Sequence, residues 1–236
     1  MKSTLANLRT LNSIVFAGIS IAFVFSCSNS TPLTPTPNVK ETVKVETMVQ
    51  VENVAAKDGF VSISLTDTTT ARYLIRERLA RLELPNDAVG ETKEVTGNIL
   101  FNSQGSVQNS SQFTVNVKSL VSDESRRDRY VRNNTLKTGM YPEVYFKLLE
   151  VKDLGWPIPS EGSHQFSLIG DITIMDVTRS ITWDAEVIFS EQSLTGVARA
   201  TILFEDFAIT KPSLSFILSV ADEIRLELDL SASILR

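Results

Sequence analysis

Apolar and polar residues alternate along most of the chain from Gly59 onward, and this period of two is typical of half-buried β-strands. The alternation is clearest in 180–189, where Ile181, Trp183 and Ala185 share one face. We predict about nine strands, at 60–65, 71–82, 94–101, 112–120, 143–151, 165–175, 180–189, 195–206 and 224–230. The chain is therefore expected to be an all-β protein.

One segment, Ser122 to Leu136, lacks this alternation and is predicted to be helical or irregular. Ser122 is a suitable N-cap because its hydroxyl can accept from a free backbone N–H group. Asp123 and Glu124 would then lie in the first turn, where negative charge is favourable. We expect a single short helical segment.

The predicted strands each have one apolar and one polar face, which favours an antiparallel sheet with one side in water. Several are longer than the average strand. Long strands with one apolar face can close into a barrel, which leaves no exposed edge. We predict an antiparallel barrel, with a two-sheet sandwich as the alternative.

The N-terminal region is set apart from this domain by its composition. Lys2 and Arg9 precede an uncharged apolar stretch, 11–26, which is shorter than the ~20 residues of a membrane span but suits a signal peptide. The stretch ends in Val24-Phe25-Ser26-Cys27, which resembles the lipobox of bacterial lipoproteins. We predict a lipoprotein signal peptide over 1–26 and a lipidated Cys27. An uncleaved signal anchor with an uninvolved thiol is the alternative.

Residues 27–56 are rich in proline, threonine and charged side chains, and they are expected to form a flexible tether. Val43, Val45, Val49 and Val51 give the end of this tether some strand tendency. The folded domain is predicted to span 57–236. A lipid anchor would place it outside the cytoplasm, held to a bacterial membrane.

Composition excludes several functional classes. The net charge is -5 at pH 7, which argues against a duplex nucleic-acid binder. The chain has one Cys and one His, which excludes a disulfide framework and a zinc site with several Cys or His ligands. His164 is expected to lie in a solvated loop before a strand, and no nucleophile elbow or phosphate loop is present. We therefore predict a protein that is not an enzyme and uses no metal or cofactor.

Two polar features have structural and functional interpretations. The charged cluster at Arg126, Arg127, Asp128 and Arg129 could clamp an anion at a barrel mouth, but a salt-bridged cap that fastens the non-strand segment is favoured. Glu77 shares the inward phase of its strand, so its carboxylate must be paired unless a bulge turns it outward.

Four motifs follow one another in order: Ser119–Arg132 followed by Tyr141–Phe146, then Gly170–Trp183, then Ala200–Ala208, and finally Val220–Leu228. Together, in this order, they resemble the YceI-like family. The resemblance departs from the usual pattern at Asp176, Ser180 and Ala208, which replace two turn glycines and a proline. It covers about 60–231, nearly the whole predicted domain.

The resemblance implies an eight-stranded, lipocalin-like antiparallel barrel with an apolar tunnel that binds a polyisoprenoid or an isoprenoid quinone, without catalytic residues. A barrel of this size has room for one elongated ligand. The candidate lining residues on the apolar faces are Ile99, Phe101, Phe113, Val115, Phe146, Leu168, Ile172, Trp183, Ile202 and Phe204.

The rival hypothesis is a barrel with a solid core that serves as an extracytoplasmic structural or interaction module. Outward side chains such as Arg76, Arg78, Arg225 and Glu227 would then meet a partner protein. A homodimer is compatible with either hypothesis.

Overall fold

The fold is a closed antiparallel sheet, seen in a computed structural model that describes residues 59–213 and 215–236. The strand segments are β1 (Val61–Leu65), β2 (Thr70–Leu79), β3 (Asn86–Thr92), β4 (Val95–Phe101), β5 (Gln112–Asn116), β6 (Val121–Ser122), β7 (Glu143–Lys152), β8 (Gly162–Ile174), β9 (Val177–Ser190), β10 (Ser193–Leu203) and β11 (Ile217–Leu235). One α-helix, α1 (Ser125–Tyr130), continues into a π-helical turn at Val131–Thr135, and 3-10 turns lie at Val117–Ser119 and Glu205–Phe207. The predicted signal peptide, tether and Cys27 lie outside the described residues.

The eleven segments form eight long strands. β1 and β2 together form the first strand, and both pair with β11. On their other side β4 pairs with β1 and β3 pairs with β2, and these two segments form the second strand. β5 pairs with β4 and β6 with β3, and they form the third strand. The pairing β1–β11 closes the ring, so the predicted antiparallel eight-stranded barrel with one short helix is confirmed. Because every strand in the described part of the chain lies between Val61 and Leu235, residues 28–236 contain the barrel seen in the structure.

A polar turn divides the first strand into β1 and β2. The Thr69 side chain is fully buried there, and its hydroxyl donates to the Ser231 carbonyl at 2.8 Å. The same hydroxyl accepts from the Ser231 backbone N–H at 3.2 Å. This turn explains why the pattern predicted two separate strands, 60–65 and 71–82, where the barrel has one interrupted strand.

The sequence-based predictions missed β3 (Asn86–Thr92), which pairs with β2 from Ala71↔Thr92 to Glu77↔Asn86. Its sequence contains Asn86, Asp87 and Gly90, which favour turns, and few apolar residues mark its inner face. Tertiary pairing outweighs these local preferences. Two predicted strands also end early, because 117–119 and 205–207 form 3-10 turns.

The helix begins later than predicted. Its N-cap is Glu124, whose side chain accepts from the Arg126 backbone N–H at 3.2 Å, rather than Ser122. Ser122 lies in β6, and its hydroxyl accepts from the Glu124 N–H. Asp123 and Glu124 therefore precede the helix instead of occupying its first turn.

The two ends of the barrel differ in what covers them. The chain enters β1 at one end, beside the β4–β5 loop, the β7–β8 loop and the β9–β10 turn. At the opposite end, which we call the mouth, lie the β2–β3 hairpin (80–85), α1 and the connection from β10 to β11. No helix in the described part of the chain is both long and apolar enough to span a bilayer.

Candidate functional site

The half of the barrel nearest the chain entry is packed with its own side chains, and we call it the filled half. The β7–β8 loop covers it: Ile158 is buried, and Trp156 lies 5.8 Å from Phe101 between ring centroids. Arg236 donates to the Pro159 carbonyl of this loop at 2.7 Å. The remaining space measures only about 30 Å³.

The half nearest the mouth contains a larger cavity of about 150 Å³, and we call it the mouth half. Seven of the ten predicted lining residues face it: Phe113, Val115, Phe146, Ile172, Trp183, Ile202 and Phe204. The other three, Ile99, Phe101 and Leu168, lie in the filled half, where they contact the 30 Å³ space instead. The cavity lies within the buried apolar cluster of the barrel.

An aromatic layer, which we call the aromatic floor, separates the two halves. Phe113 and Phe146 stack with ring centroids 6.2 Å apart and planes at 15°, and Trp183 meets Phe146 edge-on at 6.1 Å. Phe113 is the residue that lines both the cavity and the smaller space. All three residues of the floor were among the predicted lining residues.

Two glycines make room for the rings of the floor. A Cβ on Gly97 would come within 2.7 Å of Cδ1 of Phe113, and Gly97 also has a φ of 147°, which favours glycine. A Cβ on Gly170 would come within 2.8 Å of Cζ of Phe146. The backbone therefore approaches the floor closely from two strands.

Two polar atoms in the wall of the cavity are buried without a hydrogen-bond partner among the described residues. They are Nε1 of Trp183 and Oγ1 of Thr135. A buried N–H group without a partner costs about 1–3 kcal/mol. A ligand with a hydrogen-bond acceptor could offset that cost at Trp183.

A second space, the outer chamber, adjoins the cavity at the mouth and measures about 360 Å³. Four residues line both spaces: Tyr73, Ile75, Val131 and Pro212. The outer chamber has five charged residues in its wall, namely Glu77, Arg81, Glu124, Arg126 and Arg127, whereas the cavity is bordered by two, Arg72 and Glu227. The two spaces thus form an apolar interior and an entrance with more charge in its wall.

A buried ion pair joins the barrel wall to the helix at this entrance. Glu77 is 6% exposed and accepts from Nη2 of Arg127 at 2.9 Å, while Nδ2 of Asn86 donates to the same oxygen at 3.4 Å. Nη1 of Arg127 also donates to Asp123 at 2.6 Å. Burial opposes the charge of Arg127, but the carboxylates of Asp123 and Glu77 outweigh it and raise the pKa of the guanidinium. Glu77 therefore faces inward and is paired.

The remaining contacts of the charged cluster hold the helical segment against the barrel. Asp128 is buried and accepts from the Ser122 hydroxyl at 2.6 Å. Arg132 donates to the Leu120 carbonyl at 3.0 Å. These contacts are those of a cap that fastens the segment, as favoured from the sequence, while Arg126 lines the outer chamber.

Tyr73 stands where the cavity meets the outer chamber. Burial raises the pKa of its phenol to about 12, although the positive charge of Arg127 acts in the opposite direction. The hydroxyl consequently remains protonated at physiological pH and can donate a hydrogen bond.

His164 lies inside β8 rather than in a solvated loop, which corrects the sequence-based expectation. Its ring meets Phe189 edge-on at 5.7 Å, and Nε2 lies 3.1 Å from the Glu161 carbonyl. Within the described residues, no three His, Cys, Asp or Glu side chains are grouped in a way that could hold a metal ion. His164 is therefore a packed residue of the barrel wall.

Several lining residues of the cavity were not predicted. Tyr73, Ile75 and Leu226 follow the inward phase of β2 and β11, so the alternation already contained the signal for them. Val131 and Leu136 belong to the helical segment, and Ile209 follows the last 3-10 turn. Strand periodicity carries no information about these covering residues.

The closed eight-stranded barrel and its internal apolar cavity define a lipocalin-like barrel, a class built around an internal ligand site. The YceI-like domain matches residues 66–232, and the chain belongs to the YceI-like family.

Individual relatives are more distant. A UPF0312 protein of Photorhabdus laumondii is 28% identical over 112 residues, which are 47% of this chain and 54% of that protein. Protein YceI of Escherichia coli is 26% identical over 112 residues, again 47% of this chain and 54% of that protein. The chain thus aligns with about half the length of these curated relatives.

Solved structures share the fold. A structure from Saccharophagus degradans, described as a polyisoprenoid binding domain implicated in plant cell wall breakdown, matches with a TM-score of 0.57 at 12% identity, over 72% of this chain and 97% of that one. BcnA of Burkholderia cenocepacia matches with a TM-score of 0.52 at 16% identity, over 73% and 99% respectively.

Proposed function

We propose that this protein binds an elongated apolar lipid of the polyisoprenoid or isoprenoid-quinone type in the mouth half of its barrel, without catalysing a reaction. The observation that carries the proposal is the 150 Å³ cavity, which is walled almost wholly by apolar side chains above the aromatic floor. The Saccharophagus degradans neighbour, described as a polyisoprenoid binding domain, supports this ligand class.

The size of the site favours a ligand that enters end first. A cavity of about 150 Å³ can hold a group of roughly the size of benzene, which is comparable to one isoprene unit. The outer chamber of about 360 Å³ then takes the following part of the chain. Burial of ten CH₂ groups would contribute on the order of 8 kcal/mol before ordering costs.

The distribution of polar groups assigns an orientation to the ligand. The apolar end would rest on the aromatic floor, and the polar end would lie in the outer chamber near Arg81 and Arg126. The Tyr73 hydroxyl, which lies where the cavity meets the outer chamber, is a donor for the polar end of the ligand.

The proposed location is the outer face of the cytoplasmic membrane. The lipobox-like Val24–Cys27 and the single Cys at that position support an N-terminal lipid anchor. Roughly 30 residues separate Cys27 from Gly59, and such a tether can extend to about 100 Å. That length would allow either end of the barrel to face the bilayer.

The test is a titration of residues 28–236 with a polyprenol and with an isoprenoid quinone, followed by displacement of an apolar fluorescent probe. We expect saturable displacement by one chain per barrel, and weaker displacement by a short isoprenoid alcohol that leaves the outer chamber unfilled. If neither long chain displaces the probe, the lipid-binding proposal is wrong and the interaction module takes its place.

A further inference from the structure

Four apolar side chains are exposed together around the mouth of the barrel, and we call them the rim: Leu82, Leu84, Phe216 and Leu218. Leu84 and Leu218 are 76% and 60% exposed. The backbone brings the two segments together, because the Ala80 N–H donates to the Phe216 carbonyl at 3.0 Å and Ile217 pairs with Leu79. The rim is therefore one surface formed by the β2–β3 hairpin and the start of β11.

The rim is continuous with the ligand site. Phe216, Leu79 and Ile217 line the outer chamber, which in turn shares residues with the apolar cavity. A lipid that left the cavity through the mouth would pass between these side chains. The rim therefore lies on the direct route between the barrel interior and the surroundings.

Positive charge accompanies the rim. Arg78 and Arg81 are exposed on the same hairpin arm and form no ion pair with any residue in the described ranges. Arg126, at the edge of the outer chamber, is likewise exposed and unpaired among those residues. The exposed Glu83 lies between Leu82 and Leu84 and offsets one of these charges, so three arginines stand against one carboxylate among the unpaired described residues of the rim, on a chain whose net charge is -5.

We propose that the mouth end of the barrel docks on an anionic phospholipid bilayer, with Leu82, Leu84, Phe216 and Leu218 inserted among the acyl chains and Arg78 and Arg81 against the headgroups. Apolar side chains flanked by basic residues are the combination that holds proteins at a membrane interface. An anionic bilayer offers an acyl interior for the four apolar side chains and negative headgroups for the arginines, and a dimer of this chain is an outcome of the test below. The proposal concerns the outer surface and does not depend on which ligand the cavity holds.

The experiment measures co-flotation of residues 28–236 with vesicles of phosphatidylcholine containing about 30% phosphatidylglycerol, and with vesicles of phosphatidylcholine alone. We expect binding to the first and several-fold weaker binding to the second. In the variant Leu84→Ser/Leu218→Ser the partition coefficient should fall about tenfold. In Arg78→Glu it should fall about fivefold or more on the anionic vesicles only.

Matched controls lie on the barrel wall. Ile188 is 58% exposed, nearly the same as Leu218, and Lys152 is an exposed cation near the other end. Ile188→Ser and Lys152→Ala should leave vesicle binding unchanged. Neither Leu84 nor Leu218 lines the cavity or the outer chamber, so probe displacement by a polyprenol in solution should be the same in the double variant.

Three results would overturn the proposal. The first is that wild type does not bind the vesicles at all. The second is that wild type binds them and Leu84→Ser/Leu218→Ser binds equally well. The third is a dimer in sedimentation analysis that these two substitutions convert to a monomer without changing vesicle binding. The rim would then be an interface between copies of this chain. If wild type bound the vesicles but did not bind polyprenol, the proposed function would be wrong and the docking proposal would stand.

Discussion

The two halves of the barrel have the same alternating pattern of side chains and yet differ in what they enclose. The filled half leaves about 30 Å³, whereas the mouth half leaves about 150 Å³ plus the outer chamber. Both halves are walled by Ile, Leu, Val and Phe. The difference in enclosed volume therefore comes from the segments that cover the two ends of the barrel and not from the strands.

Each cover works in a different way. At the filled end a loop inserts Ile158 directly into the apolar interior. At the mouth, α1 rests on the Glu77–Arg127 ion pair, and polar contacts of this kind keep the helix above the apolar wall. These polar contacts fix the distance of the helical segment from the wall, so its Val131 and Leu136 line the cavity without filling it.

The largest expected effect comes from breaking the Glu77–Arg127 ion pair, which joins α1 to the barrel wall. Arg127→Leu would leave Glu77 buried and unpaired, and we expect it to lower the free energy of unfolding by about 3–5 kcal/mol. Urea unfolding near neutral pH measures the change. The double variant Glu77→Leu/Arg127→Leu should recover most of the loss. A cost below about 1 kcal/mol for Arg127→Leu would show that the pair does not hold the cover.

The next effect is a pH dependence of the free energy of unfolding that arises from Tyr73 in the mouth half. The pKa of Tyr73 is about 12 in the folded protein and about 10 when unfolded, so its stabilising contribution is complete below pH 10 and is lost as pH rises towards 12. The loss should reach at most about 2–3 kcal/mol. Tyr73→Phe should reduce this decline between about pH 10 and about pH 12. The control is Tyr141, which lines neither the cavity nor the outer chamber, and Tyr141→Phe should retain the decline.

Filling substitutions compare the two halves directly. Val187 is completely buried in the filled half, and Val187→Phe should destabilise the protein by about 1–3 kcal/mol through overpacking. Val115 faces the cavity, so Val115→Phe should change the free energy of unfolding by less than about 0.5 kcal/mol. Equal costs at the two positions would mean that the halves are packed alike.

The last comparison concerns ligand binding in the mouth half. Val115→Phe occupies space above the aromatic floor, and we expect it to weaken polyprenol binding about tenfold, or ~1.4 kcal/mol. Probe displacement at equal protein concentration provides the measurement. A variant that binds as tightly as wild type would place the ligand elsewhere.

Much of the architecture was predictable from the sequence because strand alternation is a local signal. The barrel, the short helical segment and the inward side of strands such as β9 all follow from it. β3 was missed because its turn-forming residues are overruled by pairing with β2, and the N-cap shifted to Glu124 because Ser122 pairs in β6.

The division of the interior was not predictable from alternation. Ile99 and Ile172 occupy equivalent inward positions, but one contacts the filled half and the other the cavity. Which of them meets open space depends on covers that are distant in sequence, such as Ile158 and Val131. The sequence left open whether Glu77 faces inward or is turned outward by a bulge, and its partner Arg127 could be identified only after folding.

The most direct test of the lipid-binding account is native mass spectrometry of residues 28–236 purified from a bacterial envelope, with organic extraction of any bound molecule. The account predicts one long-chain isoprenoid or quinone per barrel in wild type, and a reduced amount in Val115→Phe. A bare protein mass that persists after incubation with excess polyprenol and quinone would contradict it.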